Sequence, residues 1–317
     1  MLFWAMLKKK STHAIFSAGI KGENMNGGNK KGFYAGIDLG GTKILTVIED
    51  AERNVLAKTK IPTEATRGVG TVMDNIVKSL EISCKDVNIV PNDLSGIGIG
   101  VPGPVNHEKG LVYECPNLSG WKNIEVRKLL NERWNVQVKV ENDAHVAGLA
   151  ETRLGAAKGF EHVFYITVST GIGAAIITNG KIYHGSDGAA GEFGRMRLLD
   201  GSIFETGFAG PAIERLFGIP TPQLTELVEK NDPGAKKAVE YMTDGIGTFL
   251  ANVTTLLNPQ IIVIGGGVSQ LGELILEPIR KKVASSAFSI AAKNVKIVRA
   301  ALHTDSGAVG AVELLFE

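Results

Sequence analysis

The chain has 317 residues, more than one domain usually contains, so two lobes are predicted. Its formal net charge of +1 disfavours nucleic acid and membrane surfaces as partners, since these attract strongly basic chains. Hydrophobic residues make up 44%, yet no run approaches the ~18 consecutive apolar residues of a membrane span. The two cysteines, Cys84 and Cys115, form neither a metal-ligand spacing nor a disulfide framework, which favours a location in the reducing cytoplasm.

The first thirty residues differ from the rest of the chain. An apolar run, Met1–Leu7, is followed by three lysines, whereas a secretory signal carries its positive charge before the apolar stretch. A polar, glycine-containing segment follows at 26–31. These features predict a disordered tail over residues 1–30, with Met25 as a plausible start. The alternative is a weak membrane-surface anchor in the apolar run.

From residue 31 onward, strand and helix patterns alternate, which is typical of an α/β protein. Apolar runs at Phe33–Ile37 and Ile44–Ile48 flank a glycine turn and predict a hairpin. The elements predicted next are strands at Asn54–Ile61, Leu94–Val101 and Gln137–Glu141, and helices at Val69–Ser83, Asn123–Arg133 and Ala144–Leu154.

A second hairpin opens the second half of the chain, where Val163–Val168 and Ala174–Thr178 flank another glycine turn. This weak duplication predicts two similar lobes that face a cleft. The later predicted elements are helices near Ala209–Phe217, Leu224–Lys230, Ala235–Leu257 and Leu271–Ser286, strands at Ile261–Ile264 and Val295–Arg299, and a closing helix from Asp305.

Three glycine clusters each follow a predicted strand, at Gly40–Thr42, Thr170–Gly173 and Gly265–Gly267. Glycine has no Cβ and tolerates positive φ, so such turns can bring backbone N–H groups close to a phosphate. Three turns of this kind, with an aspartate between them, predict a nucleotide-dependent kinase. An NAD-dependent oxidoreductase is disfavoured because the first cluster joins two strands rather than a strand and a helix.

Asp143 is the candidate catalytic residue. It follows a predicted strand and begins a helix, a position that places a side chain at a cleft near backbone N–H donors. Transfer of a phosphoryl group to a hydroxyl needs a proton acceptor of this kind. The alternative role is a helix N-cap, which aspartate also favours. Its neighbour Asn142 can donate and accept hydrogen bonds, which suits sugar hydroxyls.

Eight segments in order resemble the ROK family of sugar kinases, from Tyr34 to the C-terminus. They are Asp38–Lys43, Gly100–Val105, Pro116–Trp121, Glu141–Ala144, Ser169–Gly173, Asn179–Lys181, Gly188–Gly194, and Leu257–Pro259 with Ile264–Val268. The resemblance implies the actin-like ATPase fold, also called the hexokinase or ribonuclease-H-like fold, with two lobes around a cleft. The expected division is a small lobe of residues 31–142 with 301–317 and a large lobe of residues 143–300.

The resemblance also implies roles for individual residues. Asp143 would be the base, and Asp38 would hold Mg²⁺ through water. The implied sugar-binding residues are Asn117, Asn142, Asp143, Glu192 and Glu205. The implied ATP-binding residues are Asp38, Gly40, Gly41, Thr42, Lys43, Thr170, Gly171, Gly173, Gly266 and Gly267. Asn117 as a turn residue and Lys43 as a solvated strand residue remain the alternatives. The family also implies a homodimer.

The segment between Gly191 and Glu214 departs from the family pattern. Arg195 replaces a histidine that binds zinc and sugar in the family, and the family's cysteine loop is missing. The histidines present are scattered, so no structural zinc is expected. Packing by Ile203 and Phe204 would hold the segment instead. Arg195 is expected to be solvent-exposed or paired with Glu192 or Glu205, with a place in the pocket as the alternative.

These observations favour an ATP-dependent kinase acting on a sugar 6-hydroxyl, with glucose as the first expectation. N-acetylhexosamine, fructose or allose are alternative substrates. A sugar-sensing transcription regulator is disfavoured because only about thirty residues precede Tyr34 and they show no helix-turn-helix pattern. A non-catalytic sugar binder is disfavoured because Asp143 and all the glycine turns are present.

Overall fold

The computed structural model describes residues 32–115 and 117–317, so the predicted tail over residues 1–30 lies outside the described residues. The strands are β1 (Phe33–Leu39), β2 (Lys43–Glu49), β3 (Val55–Pro62), β4 (Leu94–Val101), β5 (Val105–Asn106), β6 (Leu111–Glu114), β7 (Lys122–Ile124), β8 (Val138–Asn142), β9 (Val163–Val168), β10 (Ile172–Thr178), β11 (Lys181–Ile182), β12 (Ile261–Gly265) and β13 (Lys296–Arg299).

The helices are α1 (Val69–Asp86), α2 (Val126–Asn131), α3 (Asp143–Arg153), α4 (Phe204–Phe208), α5 (Gly210–Phe217), α6 (Leu224–Glu229), α7 (Pro233–Leu257), α8 (Glu273–Ser286), α9 (Ser289–Asn294) and α10 (Ser306–Glu313). Most of the longer helices lie where the sequence predicts them, whereas the short helices α4 and α9 were not predicted. Among the described residues, no helix combines the length and the apolar character that crossing a membrane requires.

Two five-stranded sheets share one topology. The first has the order β3-β2-β1-β4-β8 and the second has the order β11-β10-β9-β12-β13. In both, the first three strands are antiparallel neighbours and the last three run parallel. The duplication predicted from the two hairpins is therefore present in the fold.

A small third sheet, β5-β6-β7, was not predicted. The sequence pattern over Asn123–Arg133 predicted a helix, but the helix begins only at Val126. Asn123 has φ +54°, which is incompatible with an α-helix, and Ile124 pairs with Val112 of β6. A short strand therefore replaces the first part of the predicted helix.

Two helices connect the sheets. α3 follows β8 of the first sheet but packs on β9 and β10 of the second, whereas α10 follows β13 of the second sheet and packs on β1 and β4 of the first. The two helices also pack against each other. Glycines permit these close approaches: a Cβ on Gly98 of β4 would lie 1.7 Å from the Ala311 carbonyl oxygen of α10, and one on Gly310 of α10 would lie 1.9 Å from the Val146 carbonyl oxygen of α3.

Each large sheet has its own apolar core. The side chains of α1 pack on the first sheet, with Ile76 and Leu80 fully buried. α7 and α8 contribute to the core of the second sheet, where Met242 and Ile279 are fully buried. Strand ends and turns remain at the edges where the two sheets face each other, and these hold the polar residues described next.

Candidate active site

Two adjoining pockets are lined by residues from both large sheets. The first has a volume of about 750 Å³ and the second about 520 Å³. They share three lining residues, Asp143, Thr167 and Ser169. Asp143 therefore lies at the junction of two pockets, each large enough for a small molecule.

The residues predicted to bind the nucleotide divide between the pockets. Four of them line the first pocket: Asp38, Lys43, Gly266 and Gly267. Four others line the second pocket: Gly41, Thr170, Gly171 and Gly173. The β1–β2 turn also contains Gly40 and Thr42, which line neither pocket. The glycine turns thus flank the junction rather than one pocket alone.

The glycine turns are held by specific contacts. In the first turn, the Gly40 N–H donates to the Lys43 carbonyl at 2.9 Å, and the Thr63 hydroxyl donates to the Gly40 carbonyl at 2.6 Å. In the third turn, Gly266 has φ +79°, and a Cβ there would lie 2.4 Å from the Val168 carbonyl oxygen. Both the backbone conformation and the space therefore require glycine at 266.

The residues predicted to bind the sugar come together. All of them line the second pocket: Asn117, Asn142, Asp143, Glu192 and Glu205. They come from four separate stretches of the chain, and Glu205 begins the first turn of α4. One Glu205 carboxylate oxygen accepts the Ile172 N–H at 2.7 Å, so this side chain also holds the turn between β9 and β10.

The N-cap of α3 is Asn142 rather than Asp143. The Asn142 side-chain oxygen accepts from the N–H groups of Ala144 at 2.9 Å and His145 at 3.1 Å. Its amide nitrogen donates to the Gly103 carbonyl at 3.0 Å. The capping role considered for Asp143 is thus filled by its neighbour, and the Asp143 carboxylate also accepts the N–H of Ala144 at 2.8 Å.

The carboxyl groups at the junction ionise with difficulty. Burial, together with the smaller effect of the nearby negative charge of Asp38, raises the pKa of Asp143 to about 7. Burial also raises the pKa of Asp38 to about 6, although the positive charge of Lys43 opposes this shift. A carboxylate with a pKa near neutrality is suited to accept a proton from a hydroxyl.

The comparisons with known proteins agree with this geometry. The sequence model described as "ROK family" matches residues 34–317. The chain belongs to the ROK family. It is 30% identical to a glucokinase from Halalkalibacterium halodurans, over 88% of this chain and 93% of that protein. The predicted family and the predicted enzyme class, a sugar kinase, are confirmed at this level.

Solved ROK structures confirm the predicted actin-like ATPase fold. A ROK glucokinase from Streptomyces griseus, in complex with glucose and AMPPNP, has a TM-score of 0.76 and 29% identity, covering 89% of this chain and 99% of that chain. The family also contains regulators. The xylose repressor of Bacillus subtilis is 27% identical over 91% of this chain and 78% of the repressor.

In this ROK protein, aromatic packing holds the segment between Gly191 and Glu214, which contains no cysteine. Phe204 is fully buried, and its ring centroid lies 5.1 Å from that of Phe193, 5.0 Å from Phe208 and 3.9 Å from Phe249. Phe204 is thus an anchor, as predicted, whereas Ile203 is only partly buried. Burial of large rings supplies the stabilisation of this segment.

Arg195 has a different partner from the two predicted. Its side chain is 59% exposed, and its guanidinium lies 3.8 Å from the carboxylate of Glu114. The predicted solvent exposure is thus present, and Arg195 also lines the second pocket, which was the alternative. Its ion pair is with Glu114 rather than Glu192 or Glu205, because β6 brings Glu114 to the same rim of that pocket. An exposed pair at this distance contributes little to stability. The pair therefore does not fix the Arg195 side chain at the rim of the second pocket.

The histidines look scattered in the sequence, but three of them, His107, His145 and His184, lie together in the folded chain. His145 is buried on α3, and it contacts Glu141 at 2.9 Å and the Ala190 carbonyl at 2.9 Å. His184 contacts the other Glu141 oxygen at 2.6 Å, and His107 stacks on His184 with centroids 3.6 Å apart. Tertiary folding brings these residues together, so sequence spacing alone missed them.

Both ring nitrogens of His145 face acceptors, a carboxylate and a carbonyl, so both must carry a proton. Hydrogen bonding to Glu141 accordingly raises the pKa of His145, although burial opposes this shift. Burial disfavours ionised Glu141, but the hydrogen bonds from His145 and His184 outweigh it and lower the pKa of Glu141. The result is a buried ion pair directly beside Asn142 and Asp143.

Several pocket residues were not predicted from the sequence. They are Glu114 in the second pocket, Thr167 in both pockets, and Tyr165, Ser269, Gln270, His303, Ser306 and Gly307 in the first. Ser306 and Gly307 begin α10, whose Asp-Ser-Gly start was recognised only as a helix boundary. The common signal is a polar or glycine residue at a strand end or helix start.

Proposed function

We propose that this ROK protein is an ATP-dependent hexose kinase that transfers the γ-phosphate to a sugar 6-hydroxyl, with glucose as the first substrate. The observation that carries the proposal is the meeting of two pockets at Asp143. The turns expected to bind ATP line both pockets where they meet, and the second pocket also holds carboxylates and amides suited to sugar hydroxyls. A shared carboxylate with a raised pKa lies between them.

In the proposed reaction, Asp143 accepts the proton of the sugar hydroxyl as its oxygen attacks the γ-phosphorus. The bond between that phosphorus and its bridging oxygen breaks, and ADP leaves. Asn117, Glu192 and Glu205 would orient the sugar. Asp38 would hold Mg²⁺ through water, since its carboxylate lies on the wall of the first pocket and Mg²⁺ usually keeps several of its water ligands. Mg²⁺, when bound, neutralises phosphate charge.

The sugar itself is the finer part of the proposal. Kinases for N-acetylhexosamine, fructose or allose remain the alternatives, and the exposed Arg195 at the rim of the second pocket is the feature that separates this chain from the usual family pattern. A sugar sensor without catalysis is the second candidate function, favoured only by the similarity to a xylose repressor.

The test is a coupled ADP-release assay with Mg-ATP and a panel of sugars: glucose, mannose, fructose, allose, N-acetylglucosamine and N-acetylmannosamine. We expect turnover on glucose to exceed that on the others. Faster turnover on another sugar would support the kinase activity but identify that sugar, rather than glucose, as the substrate. Tight sugar binding without ADP release on any sugar would favour the sensor.

The proposal has further features. They are a homodimer, a cytoplasmic location, no nucleic-acid or membrane partner, and a lobe division at residues 142/143 and 300/301. Sedimentation of the purified chain would check the first of these.

The pH dependence of kcat/KM should report the ionisation of Asp143. The carboxylate must be ionised to accept a proton, and its pKa is raised to about 7 by burial and by Asp38. We therefore expect kcat/KM for the sugar to rise with pH and to level off above about pH 7. Steady-state rates across this range check the prediction, and a profile that stays flat through about pH 7 would contradict it.

Gly307→Ala should impair catalysis through Asp38. A Cβ on Gly307 would lie 2.6 Å from the Asp38 carboxyl carbon, so this carboxylate must shift. We expect kcat to fall by about 10- to 100-fold, since misplacement of a reacting group by about 1 Å costs this much. The control is Gly70→Ala on α1, where a Cβ meets nothing within 4 Å. Equal rates in the two variants would contradict the prediction.

A further inference from the structure

A second cluster of potential ligands lies behind the sugar-binding residues. Ring nitrogens of His107 and His184 and a carboxylate oxygen of Glu141 all lie within 4.8 Å of one another. Glu141 is buried, and His184 is 18% exposed at its side chain. Two imidazoles and one carboxylate form a ligand set that zinc and related transition metals prefer.

Three separate segments supply these ligands. His107 lies in the turn after β5, Glu141 lies at the end of β8, and His184 follows β11. None of them belongs to the segment between Gly191 and Glu214. The convergence is therefore a property of the tertiary fold rather than of a sequence motif.

The hydrogen bonds of the cluster leave metal-binding positions open. One oxygen of Glu141 accepts from His145 and from the Asn142 N–H, which fixes the carboxylate, while the other oxygen contacts His184 at 2.6 Å. Among the described residues, the His107 ring forms no hydrogen bond, although it is held by stacking on His184. Because no hydrogen bond occupies its ring nitrogens, His107 can bind an ion with either of them once its ring turns out of the stack, since an ion lies in the plane of the imidazole that binds it.

We infer that His107, Glu141 and His184 bind one divalent transition-metal ion of the zinc type. The ion would link the small sheet, the end of β8 beside Asn142, and the segment that leads from His184 to Glu192. Its binding would stabilise both walls of the second pocket. This inference is the reverse of the expectation, from the sequence, that the chain holds no structural zinc.

The direct test is the zinc content of the full chain, produced without an affinity tag and measured by elemental analysis after dialysis against zinc-containing and then zinc-free buffer. We expect close to one zinc per chain. His107→Ala and His184→Ala should each weaken zinc binding by at least about 100-fold, since each removes a ligand. His162→Ala, outside the cluster, is the matched control and should retain the metal.

His107→Ala is the decisive variant, because His107 forms no side-chain hydrogen bond among the described residues and its loss should leave the fold intact. Circular dichroism checks that point. Zinc should raise the Tm of the native chain and of His162→Ala but not that of His107→Ala. Mg²⁺ in excess should not displace the zinc, since Mg²⁺ prefers oxygen ligands.

Two results would overturn the inference: a native chain that holds no more zinc than His107→Ala, or zinc binding that neither histidine variant weakens. The first would mean that the cluster is a hydrogen-bonded network only. These readouts do not depend on kinase activity, so failure of the proposed function would leave them unchanged.

Discussion

Asp143→Asn is expected to lower kcat by about 10²- to 10⁴-fold, because an amide cannot accept the proton of the attacking hydroxyl. Asparagine has nearly the same shape as aspartate, and its side-chain oxygen can still accept the Ala144 N–H. Affinity for the sugar should therefore change much less than kcat. ADP release and equilibrium sugar binding, measured on the same preparations, check both parts of the prediction.

The same substitution should leave the fold as stable or more stable. The folded-state pKa of Asp143, about 7, lies above the ordinary value of 3.8 for an aspartate carboxyl group. Proton binding by Asp143 thus favours the folded state fully below about pH 4, and this contribution is lost as the pH rises through about 7. The Tm of Asp143→Asn relative to the native chain should therefore increase over that range.

Two outcomes would contradict this account of Asp143. One is an Asp143→Asn variant whose kcat stays within a few-fold of the native value. The other is a variant with low kcat and a strongly reduced Tm, since the loss of activity would then follow from misfolding. Thermal denaturation at both ends of the pH range separates these cases.

Gly98→Ala should destabilise the fold by about 3 kcal/mol or more, at the upper end of the usual cost of overpacking. The added Cβ would lie 1.7 Å from the Ala311 carbonyl oxygen and 2.5 Å from its carbonyl carbon. These are backbone atoms of α10, so no side-chain rotation can relieve the collision. α10 would have to move away from β4, and urea denaturation measures the resulting loss of free energy of unfolding.

Gly96→Ala is the matched control for this prediction. Gly96 lies two residues earlier on the same strand, and residues two apart share a face of the sheet. A Cβ there would meet only the Leu315 side chain, at 2.9 Å, which can change rotamer. We expect a cost of less than half that of Gly98→Ala. Equal costs at the two positions would mean that contact with the α10 backbone is not the cause.

Much of the fold could be predicted because its signals are local. The hairpins at Gly40–Thr42 and Thr170–Gly173 each consist of apolar runs around a glycine turn, and both occur where the sequence predicts them. The position of Asp143 between a strand and a helix is likewise local. Periodicity also locates α1 and α7, since each has one long buried face.

The parts that could not be predicted depend on contacts between distant segments. β7 escaped notice because its three residues have no strand pattern and form a strand only by pairing with β6. The partner of Arg195 depends on where β6 places Glu114. The cluster around Glu141 depends on loops that approach it from two other parts of the chain.

The central claim is that the γ-phosphoryl group of ATP is transferred to a sugar where the two pockets meet at Asp143. The most direct measurement is product analysis by ³¹P NMR, with glucose and Mg-ATP, beside a reaction that contains no sugar. We predict one 6-phosphate ester for each ADP, almost no ADP without sugar, and neither product with Asp143→Asn. ADP release at the same rate with and without sugar, or an ester formed equally well by Asp143→Asn, would contradict the claim.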